Sequence, residues 1–211
     1  LRELSSQAWM NSYYDRGMER VPTLKSELIE IVRNNPGHLI ATTACLGGEL
    51  STLTLEMENA RKIGDEVSAA AAQQRIVTFI LEMKSLFGED FYIECAPAAS
   101  KEQIIVNKKL LDIAQAMGVE MVIGSDAHYL KKEDRYVHKA YLNSKGGERE
   151  VDSFYEYSYL QNEDELISNL SYSFSKEQIL DMYHNSIEIY NKIEVYDLTK
   201  KKKIPEVDVY N

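Results

Sequence analysis

The sequence predicts an α/β fold in which helices pack on a parallel sheet. Two observations carry that expectation. Three short apolar runs, within His38-Leu-Ile-Ala-Thr42, Phe91-Tyr-Ile-Glu-Cys95 and Met121-Val-Ile123, are each bounded by glycine or other turn residues, and continuous apolar runs of this length suit strands covered on both faces. Between them lie longer segments with apolar residues at helical spacing and short connections, so the order strand, helix, strand, helix, strand emerges. A chain of 211 residues is long enough for one sizeable core.

Residues 2–16 carry Leu4, Ala8 and Trp9 at helical spacing, followed by Tyr13 and Tyr14, and predict a helix ending near Gly17. Val21-Pro-Thr opens a second helix with Thr23 as N-cap, an apolar stripe of Leu24, Leu28, Ile29 and Val32, and a stop at Asn34-Asn-Pro-Gly37. After the first strand, Thr43-Ala-Cys-Leu-Gly-Gly-Glu49 reads as a small-residue turn. Helix is expected from Leu53 to Phe87, broken around Gly64. Gly88-Glu-Asp turns into the second strand, and Lys101 to Met117 forms a helix with a stripe of Ile104, Ile105, Lys108, Leu111 and Ala114. Beyond His128 the pattern is helical over Lys131 to Leu142, then comes a polar Gly146-Gly147 loop and a short strand at Tyr157 to Leu160. Helices follow near Glu163 to Leu170 and Lys176 to Ile189, with Asn162 and Ser175 as N-caps. The tail from Lys200 holds four consecutive lysines and Pro205 and reads as a solvated linker, with a phosphate contact as its alternative.

With 24 basic against 34 acidic residues the net charge is −10, which argues against independent affinity for nucleic acid. No apolar run is long enough to span a bilayer and no signal peptide opens the chain, so a cytoplasmic location without membrane contact is expected. The two cysteines, Cys45 and Cys95, suggest no disulfide; each reads as a small buried hydrophobe or a ligand. Walker sequences, GxSxG elbows, dinucleotide fingerprints, paired CxxC motifs and internal repeats are absent.

The chemistry concentrates after the third strand. If the backbone stays extended through Ser125, the period of two places Asp126 and His128 on one side, so a carboxylate and an imidazole converge at the strand end. A borderline cation such as zinc or manganese takes such donors, and a capping aspartate beside an ordinary histidine is the bland alternative. Cys45 also lies just past a strand end. Glu94 could orient a histidine, against a plainer role as a solvated or cap-bonded side chain; Glu49 reads as a first-turn helix charge. His38, His138 and His184 read as structural, and Trp9, Tyr13 and Tyr14 as core or inter-domain packing.

Several stretches taken in order resemble one family. Leu4-Ser-Ser, Ala8-Trp9, Arg20-Val-Pro-Thr23, Leu39-Ile-Ala-Thr-Thr-Ala-Cys-Leu-Gly-Gly-Glu49, Phe87-Gly-Glu-Asp-Phe-Tyr-Ile-Glu94 and Gly124-Ser-Asp-Ala-His-Tyr-Leu130 look like the PHP (polymerase and histidinol phosphatase) domain of bacterial and phage DNA polymerase III alpha subunits. Tyr159-Leu-Gln and the Lys-Ile-Pro205 exit are similar to the end of that domain. The resemblance implies part of a distorted (β/α)7 TIM-like barrel with a helical C-terminal portion. It places the later two-thirds of the domain over residues 1–199 and a linker toward the polymerase region over 200–211. Both ends read as cut, and the family's early His-x-His motif is expected before Leu1.

The resemblance further implies a multinuclear metal site at the strand C-termini. Carried over residue by residue, it assigns Cys45, Asp126 and His128 as ligands of Zn2+ or Mn2+, held weakly or not at all by the isolated segment. The implied function is DNA replication within a DNA-directed DNA polymerase, a nucleotidyltransferase. The metal site would serve either 3′-5′ exonuclease hydrolysis or structure. The implied partners are the rest of the alpha chain, and DNA only in the context of the full polymerase. Polymerisation itself is not expected here, because the chain lacks the carboxylate set that two-metal phosphoryl transfer requires, and the segment alone is expected to be inactive. The rival readings are a stand-alone PHP-type metal-dependent phosphoesterase and a non-catalytic scaffold.

Overall fold

The computed structural model describes residues 1–15, 17–144, 155–197 and 199; the expected Gly146-Gly147 loop and the linker at 200–211 lie outside the described residues. Its centre is a three-stranded parallel sheet in the order β3 (Ala41–Thr42), β4 (Phe91–Cys95) and β5 (Met121–Ile123). Phe91 pairs with Ala41, and Ile93 and Cys95 pair with Met121 and Ile123. Helices α3 (Glu49–Lys62) and α4 (Glu66–Phe87) connect β3 to β4, and α5 (Lys101–Met117) connects β4 to β5. Leu50 and Leu53 of α3, Ile80 of α4, Ile93 of β4, and Val106 and Leu110 of α5 are fully buried in one core, so the mixed α/β class follows the expected alternation.

Several boundaries differ from expectation. The first helix, α1 (Arg2–Met10), stops well before Gly17: Asn11 caps it, and β1 (Tyr13–Asp15) pairs antiparallel with β2 (Met18–Arg20) around Gly17 at φ 74°. Aromatic residues favour extended backbone and glycine accepts the left-handed turn, which outweighs the helical spacing. Trp9, Tyr13 and Tyr14 are accordingly exposed and not core. Helix α2 (Lys25–Asn34) is capped at Leu24 and not Thr23, because the Glu27 carboxylate accepts from Leu24 N at 3.1 Å and also from Asn11 Nδ2 at 2.9 Å. The first central strand is only Ala41–Thr42 and leaves His38 outside. Helix α3 begins at Glu49 and not Leu53, and its break from α4 falls at Gly64, φ 77°, as expected.

On α5 the buried face is Gln103, Val106, Asn107, Leu110 and Ala114; Ile105 points to solvent. The sequence stripe was rotated because two of the core-facing residues are amides. Lys84 of α4 closes the far end of α5, donating to the carbonyls of Met117 at 2.7 Å and Gly118 at 3.1 Å.

Past β5, a 3-10 turn at Lys132–Asp134 precedes α6 (Arg135–Asn143), and the expected strand at Tyr157 reduces to one parallel bridge between Tyr129 and Tyr159. Helix α7 (Glu163–Leu170) and helix α8 (Lys176–Lys192) start at the expected caps Asn162 and Ser175. Helix α8 runs along the outer edge of β5. There Asn185 Nδ2 donates to Met121 O at 2.9 Å, and Ile123 N donates to Ser186 Oγ at 3.3 Å. Side chains of a helix thus take the bonds that a further strand would take, and among the described residues the sheet stays open at three strands and does not close into a barrel. At the end of α8, Lys192 donates to Asp90 and to Tyr92 Oη at 2.8 Å each, and these bonds hold its ammonium above the ordinary lysine value.

The C-terminal end of β4 is secured by Asn107, which is 0% exposed. Its Nδ2 donates to Ala96 O at 2.9 Å, and its Oδ1 accepts from Ala96 N at 3.3 Å and from Gln103 Nε2 at 2.9 Å. Asn107→Ala leaves the backbone N–H and C=O of Ala96 without that partner, and urea unfolding should show a loss of about 2–4 kcal/mol. A change below about 1 kcal/mol would mean that water replaces the amide there.

Candidate functional site

All three strands deliver their C-terminal ends to the same edge of the sheet. The turn after β3 carries Cys45, the turn after β4 is Ala96-Pro-Ala-Ala-Ser100, and the turn after β5 carries Asp126 and His128. The first turn is held by Thr43 Oγ1, which accepts from Glu94 N at 3.0 Å, and by Gly48 N, which donates to Cys45 O at 2.9 Å. A Cβ at Gly48 would stand 2.6 Å from Thr43 O, so only glycine lets the chain double back beneath Cys45 and start α3.

Strain gathers in the same place. Among the described residues the non-glycine positions at positive φ are Ala44, at 61°, and Asp126, at 41°, one beside Cys45 and the other a candidate ligand itself. The left-handed turn at Asp126 replaces the extended backbone expected through Ser125, because β5 ends at Ile123. The two side chains meet nonetheless: Asp126 Oδ1 stands 3.3 Å from His128 Nε2. A period-two strand is therefore not what brings them together; the turn is.

Cys45 and Asp126 line one cavity of about 170 Å³, walled also by Leu46, Pro97, Ser100, Ser125 and Tyr157. His128 is not among the residues that line it. Its ring stands 4.8 Å from Tyr155 and 5.3 Å from His138, centroid to centroid. The structure thus pairs Asp126 with Cys45 in a cavity and with His128 in a contact. Among the described residues, no group of three His, Cys, Asp or Glu side chains is placed to hold one metal ion. Two ligands on a tetrahedral zinc with bonds of about 2.0 Å lie about 3.3 Å apart. Asp126 Oδ1 and His128 Nε2 stand at that spacing, which an ordinary hydrogen bond between them also gives.

The remaining candidates resolve plainly. Glu94 is bonded at the strand ends: its Oε2 accepts from Thr42 Oγ1 at 2.6 Å, and its side chain occupies the space that a Cβ at Gly124 would need. Glu49 opens α3 and pairs with Lys25 at 3.7 Å, as a first-turn charge should. Cys95 is core: its Sγ lies 3.5 Å from Met182 Sδ, and burial first, then the Glu94 charge, push its thiol up to about 12. His184 is exposed on α8. His138 is the residue whose role sequence reading missed. It comes from α6 to lie against His128, Tyr155 and Tyr129, and no spacing or motif in the chain announces that contact.

The His138 imidazole is held below its ordinary value of 6.5, first by burial and then by the charge of His128. Because its folded value is the lower one, protonation favours the unfolded chain. This group leaves stability intact above the unfolded value and lowers it as pH falls through that value. Proton NMR titration should place the His138 midpoint below 6.5, and His128→Gln should raise it partway, since burial remains. No movement in His128→Gln would show that the two rings do not sense each other.

No family model matches the chain. The DNA-directed DNA polymerase of Bacillus phage SPbeta is 46% identical over 212 residues, which covers 100% of this chain and 16% of that relative. The DNA polymerase III subunit alpha of Borreliella burgdorferi is 26% identical over 206 residues, 94% of this chain and 15% of its own length. That of Aquifex aeolicus is 31% identical over 138 residues, 65% of this chain and 10% of its own length. The chain therefore spans about a sixth of the phage relative, and its homologues are a phage DNA polymerase and bacterial DNA polymerase III alpha subunits.

Proposed function

We propose that this chain is the PHP-like segment of a replicative DNA polymerase of the DNA polymerase III alpha type. The observation that carries the reading is the 46% identity to the phage polymerase along the entire chain. The segment acts as a scaffold beside the polymerising machinery and serves DNA replication through it. A net charge of −10 leaves DNA contact to the rest of such a polymerase. Nucleotidyl transfer belongs there too, since it needs a converging set of carboxylates. A structural role for this edge is favoured over hydrolysis, since among the described residues no three donors are placed to hold one ion.

The barrel reading is supported by strand order. Strands β3, β4 and β5 neighbour one another in chain order without reversal, an order that the wall of a β/α barrel shares. All candidate residues lie past strand C-termini, where barrel sites sit. In this reading α8 occupies the flank of β5.

Zinc or manganese would be held weakly at this edge: Asp126 and His128, 3.3 Å apart, would supply two donors, and Cys45, which lines the cavity beside Asp126 and whose thiolate favours zinc, would become the third only if its turn moved toward them. Such an ion would add a local positive charge that helps hold the strained turns. No helix among the described residues is long and apolar enough to cross a membrane.

Replacing the matching segment of the phage polymerase with this chain should preserve primer extension on primed single-stranded DNA. A well-folded chimera that no longer extends primers would remove the reading. Separately, calorimetric zinc titration should give weaker binding for Cys45→Ser than for the parent, and weaker binding for both as pH falls and protons compete for the donors. Equal affinity in the two proteins would take Cys45 out of the site.

A further inference from the structure

The cavity shared by Cys45 and Asp126 has walls from distant parts of the chain. One wall is the turn after β4, through Pro97 and Ala98; the other is the strap of residues 155–161, through Tyr157 and Ser158. The strap is bound to the exit of β5. Ser158 O accepts from His128 N at 2.7 Å and from Tyr129 N at 3.3 Å, and Tyr129 Oη donates to Tyr155 O at 2.6 Å.

The Gln161 side chain reaches across to the other wall. Gln161 Nε2 donates to Pro97 O at 2.8 Å and to Tyr157 O at 2.9 Å, while its Oε1 accepts from Asn169 Nδ2 at 2.9 Å. The network admits one orientation of this amide, since a flip would turn its oxygen against two carbonyls and its NH2 against another NH2. Asn169 belongs to α7, so the docked helix fixes Gln161, and Gln161 fixes the spacing of the walls.

We infer that Gln161 is a positioning residue of this cavity: it clamps the strap to the exit of β4 and sets how far the mouth over Cys45 and Asp126 opens. The inference concerns the mouth itself and stands apart from whether a cation binds within.

The two cysteines make the test internal. Cys45 is half-buried and lines the cavity, whereas Cys95 is 1% exposed and packs in the core. Labelling with a disulfide reagent under native conditions, with chelator present, reads local opening at Cys45 and global unfolding at Cys95. In Gln161→Ala, Cys45 should label about tenfold faster than in the parent, because two hydrogen bonds that oppose opening are gone, while Cys95 keeps its parental rate. Gln161→Glu keeps the size but presents no donor to the two carbonyls, and should behave like Gln161→Ala. Asn169→Ala leaves both carbonyl bonds in place and should give a smaller rise. An unchanged Cys45 rate in the Gln161 variants, or a rise shared equally by Cys95, overturns the inference. If neither Gln161 variant folds, the absence of any rise in Asn169→Ala overturns it.

Discussion

One buried carboxamide holds the end of the central strand. Strand β4 runs out at Cys95, and the next peptide receives its hydrogen bonds from Asn107 in place of a neighbouring strand. An amide can do this because it offers a donor and an acceptor side by side, as a peptide does. Gln103, one helical turn earlier, donates to the same oxygen and fixes which way the amide faces. The next residue, Pro97, forms a wall of the cavity and offers its carbonyl to Gln161. The placing of the candidate site thus passes through α5, whose register in the core decides where Asn107 stands. An amide buried on an apolar helix face costs stability unless every polar atom is used, and here the surrounding peptide uses them.

The extent of the sheet is likewise a matter of hydrogen bonds. An exposed parallel edge would invite another strand, and α8 removes that option at β5 by presenting Asn185 and Ser186 to its backbone. Lys192 at the end of the same helix and Lys84 on α4 bind carbonyls on the opposite, N-terminal side of the strands, so that side is tied by lysines. The C-terminal side carries the strained turns. Constraint on one side and strain on the other is the arrangement expected of a fold that keeps its chemistry at strand C-termini.

Those turns belong to an acidic chain, whose net charge is −10. Asp126 and His128 share a contact at 3.3 Å, and the Glu94 side chain fills the space beside Gly124. This net charge gives the chain a field that repels phosphate. The rings of His138 and Tyr155 stand beside His128, which itself remains exposed.

The sequence by itself determined the class of the fold and most of its elements. Phe91–Cys95, Lys101–Met117, Met121–Ile123 and Glu163–Leu170 stand where composition and caps place them, since apolar runs, an N-cap serine and a terminating glycine act locally. It also marked Cys45, Asp126 and His128 as residues at strand ends. What it could not determine is anything that depends on a partner distant in the chain. The buried face of α5 was misread because Gln103 and Asn107 face inward only when a particular peptide awaits them. The aromatic hairpin after α1 competed with a helical pattern of similar strength, and glycine at the turn decided it. His138, Tyr155 and Gln161 join the site from a helix and a strap that follow β5, and tertiary packing alone brought them there. Local propensity acts over a few residues, whereas a cavity is a meeting of segments whose separation only the folded core sets.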